Sequence, residues 1–81
     1  MNKFSKYVNS ENLRRERFAK KLTALDMAVK LGKSSASSYT NIENGIVEPK
    51  ISDMNIISET LGKPVEYFFN IKLQETQTIS A

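Results

Sequence analysis

Cysteine and histidine are both missing from this 81-residue chain. Their absence excludes disulfide staples, zinc fingers of the usual ligand spacing, and catalytic pairs that join histidine to a serine or cysteine nucleophile. No cofactor or metal site is expected, and stability must come from packing. No apolar run approaches the roughly 20 residues needed to cross a bilayer, so no membrane association is expected. The polar, charged opening from Met1 to Ser10 has no hydrophobic region of the signal-peptide kind. A cytoplasmic protein is the resulting expectation.

Apolar residues make up 40% of the chain and charged ones 26%, a balance that favours a folded globule over disorder. A chain of this size buries only about 60–65% of the surface it exposes when unfolded, so it supports one core. The net charge of +3 conceals an asymmetry. Residues 1–40 carry nine Lys/Arg against three Asp/Glu, while residues 41–81 carry three against six. A basic half suits either a polyanionic partner or a solvated helix face.

The scarce glycines and prolines, Gly32, Gly45, Pro49, Gly62 and Pro64, cut the chain into pieces of helical length. Each glycine follows a periodic apolar stretch and so predicts a helix C-terminus. Five helices follow. The first starts in Ser10-Glu11-Asn12-Leu13, runs to about Lys20, and is anchored by Leu13 with Phe18 as a second candidate. Thr23 with Asp26 three residues on forms a capping pair for a helix over about 24–31, with Met27, Ala28 and Leu31 inward. Ser34 or Ser35 caps a third, ending at Asn44-Gly45, with Tyr39 and Ile42 as core anchors. Ile46 to Lys50 is a loop containing Pro49. Ser52 caps a fourth helix with Met54, Ile57 and Leu61 inward, and Pro64 opens a short fifth holding Val65, Phe68 and Phe69. The division is an N-terminal extension (1–10), a domain (11–69) with its central motif at about 23–44, and a polar tail (70–81) expected to fray.

Two short helices joined by a glycine-containing turn form the helix-turn-helix plan, in which the second helix enters the DNA major groove. Gly32 supplies the turn and Ala28 the close helix crossing. The outward side of the third helix would carry Ser35, Ala36, Ser37, Ser38, Thr40, Asn41 and Asn44, a dense set of small groups, most of them hydrogen-bonding. Carboxylate pairs such as Asp26 with Glu43, or Asp53 with Glu59, read as caps and ion pairs, so no catalytic residue and no enzyme is expected.

With those residues in place, the run Leu22-Thr23 to Ala28, Leu31-Gly32, Ile42-Glu43-Asn44-Gly45, Pro49, Leu61-Gly62 and Val65 to Phe69 resembles the Cro/CI-type (XRE) family of phage repressors over about residues 11–69. The resemblance implies an all-α, compact five-helix lambda-repressor-like DNA-binding domain. It also implies a repressor-like transcriptional regulator that inserts helix 35–44 into an operator in double-stranded DNA. The family's base-reading positions fall on Ser35, Ala36, Ser37 and Asn41. Candidates for phosphate contact are Lys33, Ser38, Thr40, Asn44, Arg14 and Arg17, with Arg15, Lys20 and Lys21 as further cations. Gly32 and Gly45 are structural, and so is Glu43, which the resemblance ties to Arg14 or Arg17.

Four departures from the family pattern stand out. Ala24 replaces a phosphate-reaching glutamine, one extra residue follows Gly32, Glu16 replaces an apolar residue, and Lys21 stands where glycine is common. A homodimer on a two-fold site is expected, with Tyr67, Phe68, Phe69 and the tail as its surface; a core role competes for Phe68, which leaves Tyr67 and the tail as the sharper candidates. The alternative is a helix-turn-helix scaffold that binds another regulatory protein, such as a phage anti-repressor or the antitoxin of a toxin-antitoxin pair.

Overall fold

The computed structural model describes residues 7–70, all-helical in architecture. The first six residues of the N-terminal extension and the expected fraying of the tail beyond residue 70 lie outside these residues. The helices are α1 (Ser10–Ala19), α2 (Ala24–Lys30), α3 (Ala36–Glu43), α4 (Ile51–Leu61) and α5 (Val65–Phe68).

Local chemistry explains most of the helix ends. At α2 the Thr23 hydroxyl accepts the Asp26 amide at 3.0 Å and the Asp26 carboxylate accepts the Thr23 amide at 2.8 Å, a reciprocal capping box. Gly32 ends the same helix at φ +78°, in the left-handed region. Its amide reaches Val29 O at 2.9 Å and the next amide, of Lys33, reaches Ala28 O at 2.9 Å, the two bonds of a Schellman motif. The end of α3 repeats the device: the amides of Gly45 and Ile46 reach Ile42 O at 3.0 Å and Asn41 O at 2.9 Å.

Three caps differ from the sequence expectation. Asn9, not Ser10, caps α1, its side chain accepting the Asn12 amide at 3.0 Å. Ser10 is drawn elsewhere: its hydroxyl donates to the Glu43 carbonyl at the end of α3. α4 begins at Ile51 rather than after Ser52, because Asp53 reaches back to accept the Lys50 amide at 3.2 Å. Ser35 does stand at the N-cap of α3, but its hydroxyl makes no capping bond.

The core is assembled from every helix. Leu13, Met27, Ala28, Tyr39, Ile42, Ile57, Leu61, Phe68 and Phe69 are buried, with Val8 of the N-terminal segment. Full burial of an aliphatic or phenylalanine side chain contributes roughly 1.5–3 kcal/mol each. Phe68 meets Tyr67 and Phe69 edge-on, with ring centroids 5.0 and 6.3 Å away. Phe18 departs from expectation: it is 62% exposed at the end of α1, beneath the Arg17 guanidinium at 4.9 Å. Phe68 and Phe69 are interior, so they are not part of an outward dimer surface.

The ends of the domain are tied together. Val8 and Phe69 form an antiparallel bridge, with Asn9 N–H donating to Phe68 O at 2.7 Å and Asn70 N–H to Tyr7 O at 3.1 Å. Tyr67 fastens α5 to α1: its hydroxyl donates to Glu16 at 3.0 Å and accepts from Arg15 at 3.4 Å, while its carbonyl accepts from the Asn12 amide group at 3.0 Å. Glu16 is therefore a hydrogen-bond acceptor for Tyr67, which accounts for a carboxylate in a place where an apolar residue would be usual.

Candidate nucleic-acid interface

α2 and α3 pack as a pair, with Ala28 at 0% exposure on the α2 side and Tyr39 and Ile42 on the α3 side. The connection between them, residues 31–35, is five residues long. That exceeds the usual three or four, so the extra residue seen in the sequence lengthens the turn.

With Tyr39, Ile42 and Glu43 committed inward, helical geometry turns the rest of α3 out. Ser35 and Ser37 are exposed, and Ala36, Ser38, Thr40, Asn41 and Asn44 are partly exposed. The Ser35 hydroxyl lies 3.2 Å from those of both Ser37 and Ser38, which forms a connected hydroxyl cluster at the start of the helix. Thr40 donates its hydroxyl to Ala36 O at 3.0 Å, so its donor is spent internally. Asn41 sits one turn after Ser37, and among the described residues its side-chain amide makes no hydrogen bond. Its carbonyl accepts from both Ile46 and Val47, at 2.9 and 3.1 Å.

Beneath this face lies an ion pair of two-pronged geometry. Arg17 Nε donates to Glu43 Oε1 at 2.9 Å and Nη2 to Oε2 at 3.1 Å, while Nη1 reaches the Leu22 carbonyl at 3.1 Å. The side chains are 11% and 4% exposed. One guanidinium thereby joins α1, the α1–α2 turn and the C-terminal end of α3. Arg17's positive form is stabilised chiefly by the hydrogen bonds to Glu43, against the opposing cost of burial. Of the two candidate arginines, Arg17 makes the two-pronged contact with Glu43. The three donors of Arg17 that make these bonds are directed inward rather than toward the outer face of α3.

Arg14 is the second cation on Glu43, at 3.5 Å, and its Nη2 reaches Asn44 Oδ1 at 3.5 Å. Its side chain is 42% exposed, so it remains partly available to solvent. Asn44 occupies the C-cap of α3, consistent with a role at the helix end. Gly45, at φ +78°, is buried behind it, and Gly32 is exposed at the turn. Lys33 follows Gly32 directly and is partly exposed.

Tyr39 lies against this pair, with the Arg17 guanidinium 6.0 Å from its ring centroid. Its phenol is fully buried and has no hydrogen-bond partner among the described residues. Burial pushes its pKa well above the ordinary tyrosine range, the Glu43 charge adds to the shift, and Arg17 opposes it. Sequence spacing identified Tyr39 only as a core anchor. Its contact with the ion pair joins residues 17, 39 and 43, a relation without a local signature.

Lys21 has φ +59°, the one non-glycine residue with positive φ among those described. It is exposed in the α1–α2 turn, and its backbone explains why glycine suits that place.

Comparison with known proteins agrees with this geometry. The model of a family described as Helix-turn-helix matches residues 13–68, more than half of the chain. No curated protein and no solved structure gave a match.

Proposed function

We propose, from the premise that this chain belongs to the helix-turn-helix family of the Cro/CI (XRE) type, that it is a repressor-like transcriptional regulator. It would bind an operator in double-stranded DNA through α3. The family is a DNA-binding regulatory one. The observation that carries the finer reading is the outer face of α3: small side chains, a linked hydroxyl cluster and a free Asn41 amide, held over a helix pair that α1 braces from behind.

In this reading Ser35, Ala36, Ser37 and Asn41 meet base edges. An amide such as Asn41 pairs with adenine through both its groups, and Ala36 offers a methyl contact to thymine. Hydroxyls accept or donate, so the serines discriminate little. Lys33, Ser38, Thr40, Asn44 and Arg14 serve the phosphates, which set position rather than sequence. Arg17 has the separate task of holding Glu43. That arrangement neutralises a carboxylate that would otherwise repel phosphate close to the helix end.

A single unit offers few base contacts, so two copies on two-fold-related half-sites about 34–36 Å apart are required for operator-grade affinity. The test is selection of duplexes from a random pool followed by a gel shift at several salt concentrations. Enrichment of an inverted repeat, with affinity falling steeply as salt rises, supports the proposal. Weak binding that is equal for every duplex contradicts it and favours a protein partner instead.

A further inference from the structure

Ser10 and Glu43 stand 33 positions apart, yet the Ser10 hydroxyl donates to the Glu43 carbonyl in the last turn of α3. That carbonyl belongs to a residue only 3% exposed, and a helix leaves its final carbonyls without partners of its own. The amides of Ile46 and Val47, which follow, are both turned back to Asn41 O. A donor must therefore come from outside α3, and among the described residues Ser10 supplies it. Ser10 is free to do so because Asn9 caps α1 in its place.

The serine is itself held. Val8 is buried and bridges to Phe69, the Asn9 amide donates to Phe68 O at 2.7 Å, and the Asn12 side chain donates to Tyr67 O at 3.0 Å. α5 thus braces this segment from one side while Ser10 reaches the end of α3 on the other. Ser10, Arg14 and Arg17 share one face of α1 at i, i+4 and i+7, and all three end on Glu43 or its neighbour Asn44. The two arginines grip the Glu43 carboxylate and the Asn44 side chain, groups that turn about their own torsions. Of the three, Ser10 is the one that grips the α3 backbone.

Ser37 lies six residues before Glu43, about 9 Å along an α-helix. A tilt of about 10° pivoting at Glu43 shifts Ser37 by roughly 1.5 Å, whereas a recognition site works only when its groups are held to about 0.5 Å. We propose that Ser10 is a positioning residue for DNA recognition, whose hydroxyl fixes the tilt of α3 and so sharpens the choice between an operator and a near neighbour of it. The inference deepens the proposed function and rests on it. It gives a task to a segment ahead of residue 13, where the family match begins.

Equilibrium binding by fluorescence anisotropy tests it, with a duplex selected from a random pool and the same duplex changed at one base pair of the recognised site. Ser10→Ala is expected to lower affinity for the selected duplex about fivefold to tenfold, and the ratio between the two duplexes about threefold. Its salt slope should stay that of wild type, because no phosphate contact is removed. Ser10→Thr and Ser10→Val are close in shape and differ in the hydroxyl, so they carry the comparison should Ser10→Ala not fold. The Thr variant is expected to bind within about twofold of wild type and the Val variant to follow Ala. Ser58→Ala removes a bond of the same kind, from hydroxyl to the Lys63 carbonyl at the end of α4. It should keep both affinity and ratio, since lost stability alone does not weaken binding while nearly every chain is folded. An unchanged Ser10→Ala, a loss equal for both duplexes, a Thr variant no better than Val, or a like loss of ratio in Ser58→Ala overturns the inference. A wild type that binds both duplexes alike defeats the DNA-binding reading, and the inference falls with it. Discrimination by the wild type that Ser10→Ala fully retains defeats the inference alone.

Discussion

Arg17 and Glu43, 26 positions apart, meet with Nε–Oε1 at 2.9 Å and Nη2–Oε2 at 3.1 Å beneath the helix assigned to DNA. Both side chains are nearly excluded from solvent. Removing one partner leaves the other charge buried with incomplete compensation. Arg17→Met is therefore expected to cost about 3 kcal/mol in urea unfolding. Replacing both, as Arg17→Met with Glu43→Leu, should recover most of the loss. Equal destabilisation in the single and double variants would show that the pair contributes net stability in its own right.

Tyr39 contributes a buried phenol without a hydrogen bond. Tyr39→Phe should be neutral or slightly stabilising near pH 7, within about 1 kcal/mol, because no partner is orphaned by the loss. Its pKa is raised in the folded state by burial, so the sign is fixed. The unfolded chain loses its phenol proton first, near pH 10, and stability declines as pH rises beyond that value. Thermal melts from pH 8 to 11 should show a shallower alkaline decline in Tyr39→Phe than in wild type.

The capping box of α2 should be visible at acid pH. The Asp26 carboxyl is held below its ordinary pKa by the Thr23 amide first and the Thr23 hydroxyl second. The stability it confers is present above the unfolded carboxylate pKa near 4 and fades as pH falls through the lower folded value. Asp26→Ala should flatten that part of the acid limb. Thr23→Ala should cost about 1 kcal/mol at neutral pH. A Thr23→Ala protein with an unchanged urea midpoint would contradict the assigned cap.

Lys21 holds a left-handed backbone at φ +59° without the freedom of glycine. Lys21→Gly should raise stability by about 0.5–1 kcal/mol, read as a higher melting temperature. A lower melting temperature would mean that the lysine side chain contributes more than its backbone costs.

Features governed by neighbours in sequence were legible before the structure. The Thr23–Asp26 box, the stops at Gly32, Gly45 and Gly62, and the inward Met27, Tyr39, Ile42 and Ile57 all follow from spacing and residue type. Glu43's pairing was legible for a different reason: the family resemblance makes it structural, a carboxylate at the end of a helix proposed to face DNA needs a cation, and Arg14 and Arg17 were the candidates. Choosing Arg17 required the three-dimensional path that also brings it to the Leu22 carbonyl. Ser10 was read as a cap because its distant acceptor, the Glu43 carbonyl, has no local sign. Phe18 is a second inward candidate by hydrophobicity alone, whereas α1 is short enough for Leu13 to anchor it and for Phe18 to lie under Arg17 at the helix end. The roles of Glu16 and Tyr67 depend on contacts 51 positions apart.

Asn41 is where the functional account is most exposed to measurement. Fluorescence anisotropy with a duplex selected from a random pool, comparing wild type with Asn41→Ala and with Ser37→Ala/Asn41→Ala, tests it directly. The expected result is a loss of about 1–3 kcal/mol for Asn41→Ala with relaxed preference at one base pair. Lys33→Ala, run alongside, should weaken all duplexes alike and reduce the salt slope by about one. Unchanged affinity and unchanged base preference in the Ser37→Ala/Asn41→Ala protein would contradict the assignment of α3 as the reading helix.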